Sequence, residues 1–235
     1  MLPPAVVLFD LDGTLIDSRG DIVAAVNHAL TATGRAPLPA VVIVRYVGDG
    51  ARVLCARAAQ LPEGDPEVDT LVGRFLAYYG EHPLAFTRWQ RGAQEALEEL
   101  ATMPDIRLGI CTNKPREATD AVLAALGIRT RFRVVVAAGD LSEKKPAPGP
   151  LLHAARLLGV DPGAVVMVGD GVQDIECARA AGARAVAVEG FTPRRRLMEA
   201  RPDVLLDSLR DLPEVLRRWQ DSTVRLSPMP RVRAG

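Results

Sequence analysis

Aromatic residues make up only 4% of this 235-residue chain, cysteine and histidine each occur three times, and neither sign of charge is in excess. With 29 Lys+Arg against 29 Asp+Glu the formal net charge is zero, so the chain lacks the basic footprint of a nucleic-acid or anionic-membrane binder. No apolar run approaches the roughly 18–20 residues that a spanning helix needs. The segment Met1–Thr14 has neither a basic n-region nor a small-residue cleavage site, so a secretory leader is not expected. Cys55, Cys111 and Cys177 are widely spaced and odd in number, which fits neither a disulfide framework nor a zinc spacing. Each reads as a small buried hydrophobe, and a reducing cytoplasm is the expected setting. His28, His82 and His153 are isolated and take no role. What is present is ordinary globular composition, 48% hydrophobic and 25% charged, which argues against disorder. The length allows one large domain or a core with a modest insertion.

Short apolar runs recur at Ala5–Phe9, Ile106–Cys111, Val134–Ala138, Val165–Val168, Ala185–Val188 and Val204–Leu206. They are β-branched and do not alternate with polar residues, the pattern of strands buried on both faces of a parallel sheet. Amphipathic stretches lie between them, at Ala93–Thr102, Arg116–Leu126, Pro148–Leu158 and Val172–Ala181. Gly127 and Gly159, followed at once by Ile128 and Val160, read as helix ends closed by a left-handed glycine and an apolar residue. Strand and helix in alternation predict a Rossmann-like, open, parallel α/β sheet. Between Ser18 and Phe86 the alternation stops. Asp21–Thr33, Val53–Leu61 and Val68–Tyr79 have helical patterns, and Val41–Val47 is either a helix start or a short strand. The expected organisation is a core of 1–17 and 87–220, an inserted helical cap of 18–86 with hinges near Asp17–Ser18 and Phe86–Gly92, and a frayed or loosely docked tail, aperiodic from Gln220 onward.

Ligands of open parallel sheets bind beyond the carboxyl ends of the strands, so the residues after each run matter most. They are Asp10-Leu11-Asp12-Gly13-Thr14, then Thr112-Asn113-Lys114-Pro115, then Lys144-Lys145-Pro146, then Gly169-Asp170-Gly171-Val172-Gln173-Asp174. Four strands thus bring carboxylates, a hydroxyl, an amide and ammonium groups to one rim. Asp10 and Asp12 are two apart and would face one side of an extended segment. Carboxylates that close repel unless a cation lies between them, and oxygen ligands beside a phosphate suit Mg²⁺. A helix cap and a solvated turn would explain one aspartate but not the pair followed by Gly13-Thr14. Asp170 and Asp174 open a helix, where acids also compensate the dipole, and their shared rim with Asp10 and Asp12 favours a second metal ligand. Thr112 and Asn113 can cap the helix near Pro115 and bind phosphate at the same N-terminus. The rigid Pro146 singles out Lys145 over Lys144.

These residues resemble the motifs of the haloacid dehalogenase superfamily in its phosphatase form. Phe9-Asp10-Leu11-Asp12-Gly13-Thr14-Leu15-Ile16-Asp17-Ser18 is similar to the first motif and Cys111-Thr112-Asn113-Lys114-Pro115 to the second. Lys145-Pro146-Ala147-Pro148-Gly149-Pro150-Leu151 is similar to the third, and Val168-Gly169-Asp170 with Asp174 to the fourth. Within the superfamily the chain most resembles bacterial phosphoglycolate phosphatases, through Val47-Gly48-Asp49-Gly50 with Leu54, Tyr78-Tyr79, the Thr-Asn-Lys-Pro segment and Pro202-Asp203. Two departures stand out. Gly171 replaces the usual serine, which would loosen that loop but spare the metal ligand, and Trp89-Gln90-Arg91-Gly92 replaces Tyr-Pro-Gly at the hinge.

The resemblance implies that Asp10 is a nucleophile forming an aspartyl-phosphate and that Asp12 is the general acid, then base. It implies Mg²⁺ on Asp10, the backbone carbonyl of Asp12, and Asp170, with Thr112, Asn113 and Lys145 on the phosphoryl oxygens. Asp174 would orient Lys145 or a metal-bound water, and Thr14 would support the nucleophile loop. The expected partner is a small-molecule phosphate ester, foremost 2-phosphoglycolate, with no nucleic acid and no membrane, in a monomer or homodimer. Arg45 and Arg52, flanking the cap loop, are candidates for a substrate carboxylate, or plain surface arginines. A sister phosphatase, a pyrophosphatase or a hexose-phosphate mutase would use the same core. A receiver domain disagrees in length and layout, and a dead phosphate-binding module disagrees with the intact Asp10, Asp12, Lys145 and Asp170.

Overall fold

The computed structural model describes residues 2–224, with side chains to residue 221. Six strands form one parallel sheet in the order β5-β4-β1-β6-β7-β8. They are β1 (Val6–Phe9), β4 (Arg107–Pro115), β5 (Val134–Ala138), β6 (Val165–Gly169), β7 (Arg184–Val188) and β8 (Val204–Leu206). The registers are continuous on both sides of β1, Val7 lying beside Leu108 and Val166. The chain builds outward from β1 through β4 to β5, then returns and builds outward on the other side through β6, β7 and β8. That reversal leaves a crevice at the carboxyl end of β1, where neighbouring crossovers leave in opposite directions.

Alternation along the strands sorts the core into two layers. Val6 and Leu8 pack with α7 (Gly149–Leu158), α8 (Val172–Ala181) and α9 (Arg194–Ala200). Val7 and Phe9 pack with α5 (Ala93–Leu100), α6 (Arg116–Ala125) and α10 (Leu212–Val224). Gly159 has φ 65°, and the Val160 amide donates to the Ala155 carbonyl at 3.0 Å, which closes α7 with the left-handed cap that its sequence predicts. All three cysteines are buried and free, and burial pushes the Cys55 thiol up to about 12.

Between β1 and β4 lie α1 (Arg19–Ala32), α2 (Ala40–Val44), α3 (Ala51–Ala59) and α4 (Pro66–Glu81). The segment whose sequence allows helix or strand is therefore helical over Ala40–Val44, because Pro39 starts it and Ile43 buries against its neighbours. Ile22, Leu54 and Phe75 of these helices join the same apolar cluster as Phe9 and Val168 of the sheet.

Two features were not read from the sequence. Short strands flank the segment 18–86: β2 (Ile16–Asp17) pairs antiparallel with β3 (Arg88–Trp89), Ile16 opposite Trp89 and Asp17 opposite Arg88. The buried Asp21 carboxylate reinforces this junction by accepting from the Phe86 amide at 2.9 Å, the Thr87 amide at 2.8 Å and the Thr87 hydroxyl at 2.6 Å. Two residues per strand are too few to announce themselves by periodicity; the pairing is made by chain ends far apart in sequence. At the other end, α10 runs past Gln220 to Val224, and the rest of the expected tail, 225–235, lies outside the described residues.

Candidate active site

The site is assembled from the loops that leave β1, β5 and β6 and from the last residues of β4. β1 ends at Phe9, and the chain turns at once: Leu15 and Ile16 both donate their amides to the Leu11 carbonyl, and Gly13 donates to Ile16 at 2.7 Å. Gly13 sits at φ 88°, and a side chain there would lie 2.2 Å from Asp170 Oδ2. This position therefore needs glycine twice, for its backbone and for the carboxylate beside it. Because the strand stops before Asp10, Asp10 and Asp12 do not present their carboxylates to one point. Asp10 turns toward Asp170 and Asp174, while Asp12 turns toward Lys114 and Ser18.

Asp10, Asp170 and Asp174 are all buried, and one carboxylate oxygen of each lies within 4.8 Å of the others. Lys145, 1% exposed, enters this group from the loop after β5. Its ammonium donates to Asp174 Oδ1 and to the Cys111 carbonyl, each at 2.6 Å, and lies 3.1 Å from Asp10 Oδ1. Burial disfavours the charged lysine, but Asp10 and Asp174 more than offset it and raise its pKa above the ordinary value. Three carboxylates cluster beside one ammonium, which pairs with Asp10 and Asp174 and not with Asp170, so negative charge is in excess. Burial and the Asp10 and Asp174 charges push Asp170 up to about 8, even though it accepts from the Thr14 hydroxyl at 3.1 Å and the Phe191 amide at 2.6 Å. Burial raises Asp174 to about 6, with Lys145 opposing. Beyond its ion pair, Asp10 Oδ1 has no hydrogen-bond partner. A hard divalent cation with oxygen ligands fits this donor set, since it would balance the charge and occupy the unpartnered oxygen.

β4 contributes the next group. Thr112 is buried, and its hydroxyl accepts from the Lys114 amide at 3.2 Å. Both functions of the Asn113 amide are engaged by the backbone: Nδ2 donates to the Lys145 carbonyl at 2.9 Å and the Gly48 carbonyl at 3.0 Å, and Oδ1 accepts from the Lys145 amide at 3.0 Å. Asn113 thus braces the Lys145 loop and ties it to the loop between α2 and α3. Lys144 and Gln173 approach the same loop, Lys144 Nζ donating to the Asp49 carbonyl at 2.8 Å and Gln173 Nε2 lying 3.5 Å from the Gly48 carbonyl. Gly171 is extended. The space a side chain would fill there is taken by the Gln173 amide, whose Nε2 would lie 2.2 Å from an added Cβ, and the Gly171 amide donates to Asp174 Oδ2 at 2.9 Å.

Lys114, Tyr79 and Ser18 carry no catalytic expectation from sequence, yet they surround Asp12. Lys114 Nζ donates to Asp12 Oδ1 at 2.9 Å and Oδ2 at 3.0 Å and to the Tyr79 hydroxyl at 2.9 Å, and it lies 4.1 Å from the Tyr79 ring centre. Ser18 donates to Asp12 Oδ1 at 2.6 Å. Burial works against the Lys114 charge, but Asp12 and Tyr79 raise its pKa above the ordinary lysine value.

A small cavity of about 40 Å³ opens between the rim and the helices. Asp10, Asp12, Thr112, Asn113, Lys114 and Pro115 line one side, and Ile22, Val47, Gly48, Gly50, Ala51, Leu54 and Phe75 line the other. Arg45 and Arg52 are not among the lining residues. Arg45 borders a separate groove with Arg19 and Val41, and Arg52, at the exposed start of α3, pairs with Asp69 and donates to the Glu63 carbonyl. The turn of α3 that points Ala51 and Leu54 inward carries Arg52 outward.

A family model described as haloacid dehalogenase-like hydrolase matches residues 7–188. A phosphoglycolate phosphatase of Neisseria meningitidis is 38% identical over 220 residues, covering 90% of this chain and 93% of that protein. An N-acetylmuramic acid 6-phosphate phosphatase of Pseudomonas aeruginosa is 36% identical over 214 residues, covering 90% and 94%. Among solved structures, a protein from Haemophilus somnus described as a predicted phosphoglycolate phosphatase superposes with a TM-score of 0.83 at 29% identity, covering 92% of this chain and 99% of that one.

Proposed function

The chain belongs to the haloacid dehalogenase-like hydrolase family, and from that premise we propose that it is a Mg²⁺-dependent phosphomonoesterase acting on 2-phosphoglycolate through an aspartyl-phosphate on Asp10. The observation that carries this reading is the convergence of buried Asp10, Asp170 and Asp174 around the single ammonium of Lys145. Asp10, Asp170 and the backbone carbonyl of Asp12 would hold the Mg²⁺, which when bound supplies the positive charge that lets an anionic nucleophile meet an anionic phosphate.

The Asp10 carboxylate attacks phosphorus, and the phosphate–alkoxide bond breaks as the new bond to Asp10 forms. Asp12 gives its proton to the departing alkoxide and later takes one from the water that hydrolyses the acyl phosphate. Lys114 and Ser18 hold the Asp12 carboxyl in one orientation for both steps. Lys145 and the Thr112 hydroxyl face the phosphoryl oxygens, Asp174 fixes the Lys145 ammonium, and Asn113 holds the Lys145 loop in register with β4. Thr14 orients Asp170 through its hydroxyl. The segment 18–86 acts as a cap that encloses the ester and excludes water, moving at the β2–β3 junction. No described helix is long and apolar enough to cross a membrane.

A second substrate reading, N-acetylmuramic acid 6-phosphate, is favoured by the 36% identical relative that bears that name. The 38% identical relative named phosphoglycolate phosphatase favours the two-carbon ester. Phosphate release should be measured from 2-phosphoglycolate, N-acetylmuramic acid 6-phosphate, pyrophosphate, hexose phosphates and p-nitrophenyl phosphate, with Mg²⁺ and with EDTA. Preference for 2-phosphoglycolate, lost in EDTA and in Asp10→Asn, is the expected result. Preference for the sugar phosphate moves the substrate assignment, and no release from any ester overturns the phosphatase reading.

A further inference from the structure

Lys145 pairs with Asp10 and Asp174, and among the described residues no cation pairs with Asp170. Asp170 is buried all the same, and the charges on Asp10 and Asp174 repel its carboxylate from the point where the three acids converge. What holds it there is neutral. The Thr14 hydroxyl donates to Oδ1 at 3.1 Å and the Phe191 amide donates to Oδ2 at 2.6 Å. The second donor comes from outside the four segments that carry the sequence motifs. Gly190 and Phe191 lie just beyond β7, which adds a fifth strand end to the rim. Their approach is close. A Cβ on Gly190 would lie 2.5 Å from both Cβ and Oδ2 of Asp170 and would overlap the Gly13 carbonyl oxygen, and a Cβ on Gly13 would overlap the same Oδ2. The carboxylate therefore occupies a slot that two glycines leave open, with one donor on each oxygen. The turn is anchored in its own right. The Arg19 guanidinium lies 5.4 Å from the centre of the Phe191 ring and is fixed by hydrogen bonds to both carboxylate oxygens of Asp17.

We propose that Phe191 is a positioning residue for Asp170: its main-chain amide, brought within reach by Gly190 and held by the contact of its ring with Arg19, keeps the carboxylate beside Asp10 in readiness for a divalent cation. This rests on the metal site proposed above and adds the turn that prepares it. An ionised carboxylate has about four lone-pair sites, and the two donors take one on each oxygen, which leaves acceptor capacity on both for a cation. A ligand already held in place needs no ordering when the cation arrives, whereas a carboxylate released from its outer partners turns away from its like-charged neighbours. The anchoring closes on itself. Thr14 and Arg19, which act on the carboxylate and on the ring, belong to the one stretch of chain that leaves β1, and Asp17 between them is paired with Arg88 in the β2–β3 ladder. An exposed cation–π contact is weak, so Arg19 should matter less than the turn that it steadies.

The test is calorimetric titration of the metal-free full chain with Mg²⁺, read beside the Mg²⁺ concentration that gives half-maximal phosphate release. Gly190→Ala puts a methyl group against Asp170 and the Gly13 carbonyl and should weaken Mg²⁺ binding about 10- to 100-fold, the usual effect of losing an outer partner of a metal ligand. The half-maximal concentration should rise by the same factor. Phe191→Ala frees the turn from Arg19 and should weaken binding several-fold, and Phe191→Tyr, which keeps the ring, should restore it. That pair carries the test if Gly190→Ala does not fold. Wild-type affinity for Mg²⁺ in both Gly190→Ala and Phe191→Ala overturns the assignment of Phe191. So does a loss in Phe191→Ala that Phe191→Tyr fails to restore, or a fall in activity that added Mg²⁺ does not recover while Mg²⁺ binding is unchanged. Absence of Mg²⁺ binding in the wild type overturns instead the reading of the metal site, so the two failures are told apart.

Discussion

The rim at the carboxyl ends of the strands and the helical wall that faces it are held by opposite means. On the rim, buried charges depend on one another: Lys145 pairs with Asp10 and Asp174, and Lys114 with Asp12. On the wall, Ile22, Leu54 and Phe75 need only be packed, and they share one apolar cluster with the sheet. A charge left alone in the rim has no solvent to turn to, whereas a trimmed side chain in the wall leaves a void. The rim should therefore be intolerant and tied to chemistry, and the wall tolerant and tied to choice of substrate.

The contrast breaks most sharply at Lys145. Lys145→Met leaves Asp10, Asp170 and Asp174 buried without a cation, and about 3–5 kcal/mol of stability should be lost in denaturant unfolding without Mg²⁺, together with at least about 10³-fold of activity. A metal-free variant that unfolds like the wild type would mean the rim is not held by charge.

Leu54→Ala and Phe75→Ala, in the wall, should each cost about 2–4 kcal/mol, since both are nearly fully buried. Their kcat on p-nitrophenyl phosphate should stay within about tenfold of wild type. A collapse of kcat comparable to that of Lys145→Met would erase the distinction between wall and rim.

Titration sharpens the comparison. The Asp170 carboxyl is raised to about 8 in the folded chain from an ordinary value of 3.8. Between these values the folded state keeps a proton that the unfolded state releases, so this group's contribution to stability is complete below about pH 4 and is lost as pH rises through about 8. The melting temperature without metal should fall over that window. Mg²⁺ should reverse the fall by favouring the ionised carboxylates, and Asp170→Asn should flatten it. No wall substitution should alter this profile.

The smallest effect is expected where rim and wall meet. Gln173→Ala removes the 3.5 Å approach to the Gly48 carbonyl and the amide that fills the space at Gly171. Stability should change by less than about 1 kcal/mol, with KM raised a few-fold and kcat retained.

The parts of the site that were legible before folding are those that follow an apolar run directly. Asp10, Thr112 and Asp170 each come straight after a buried apolar run, and a parallel sheet brings such positions to one edge whatever else the chain does. Of the two readings open for Arg45 and Arg52, the surface one fits the structure: both are exposed, and on α3 the exposed Arg52 directly follows the inward Ala51. Lys114 and Tyr79 were invisible as a pair because 35 residues separate them and neither has a pattern that names the other.

By itself, the order of apolar runs and the chemistry at their ends determined an open parallel sheet with acids and a lysine on its rim, since strand burial and crossover handedness leave few alternatives. Which way Asp12 turns, which cation meets it, how β2 and β3 pair and which helical residues line the cavity were decided only in three dimensions. Those features rest on contacts between segments distant in sequence, set by packing that no local pattern of residues encodes.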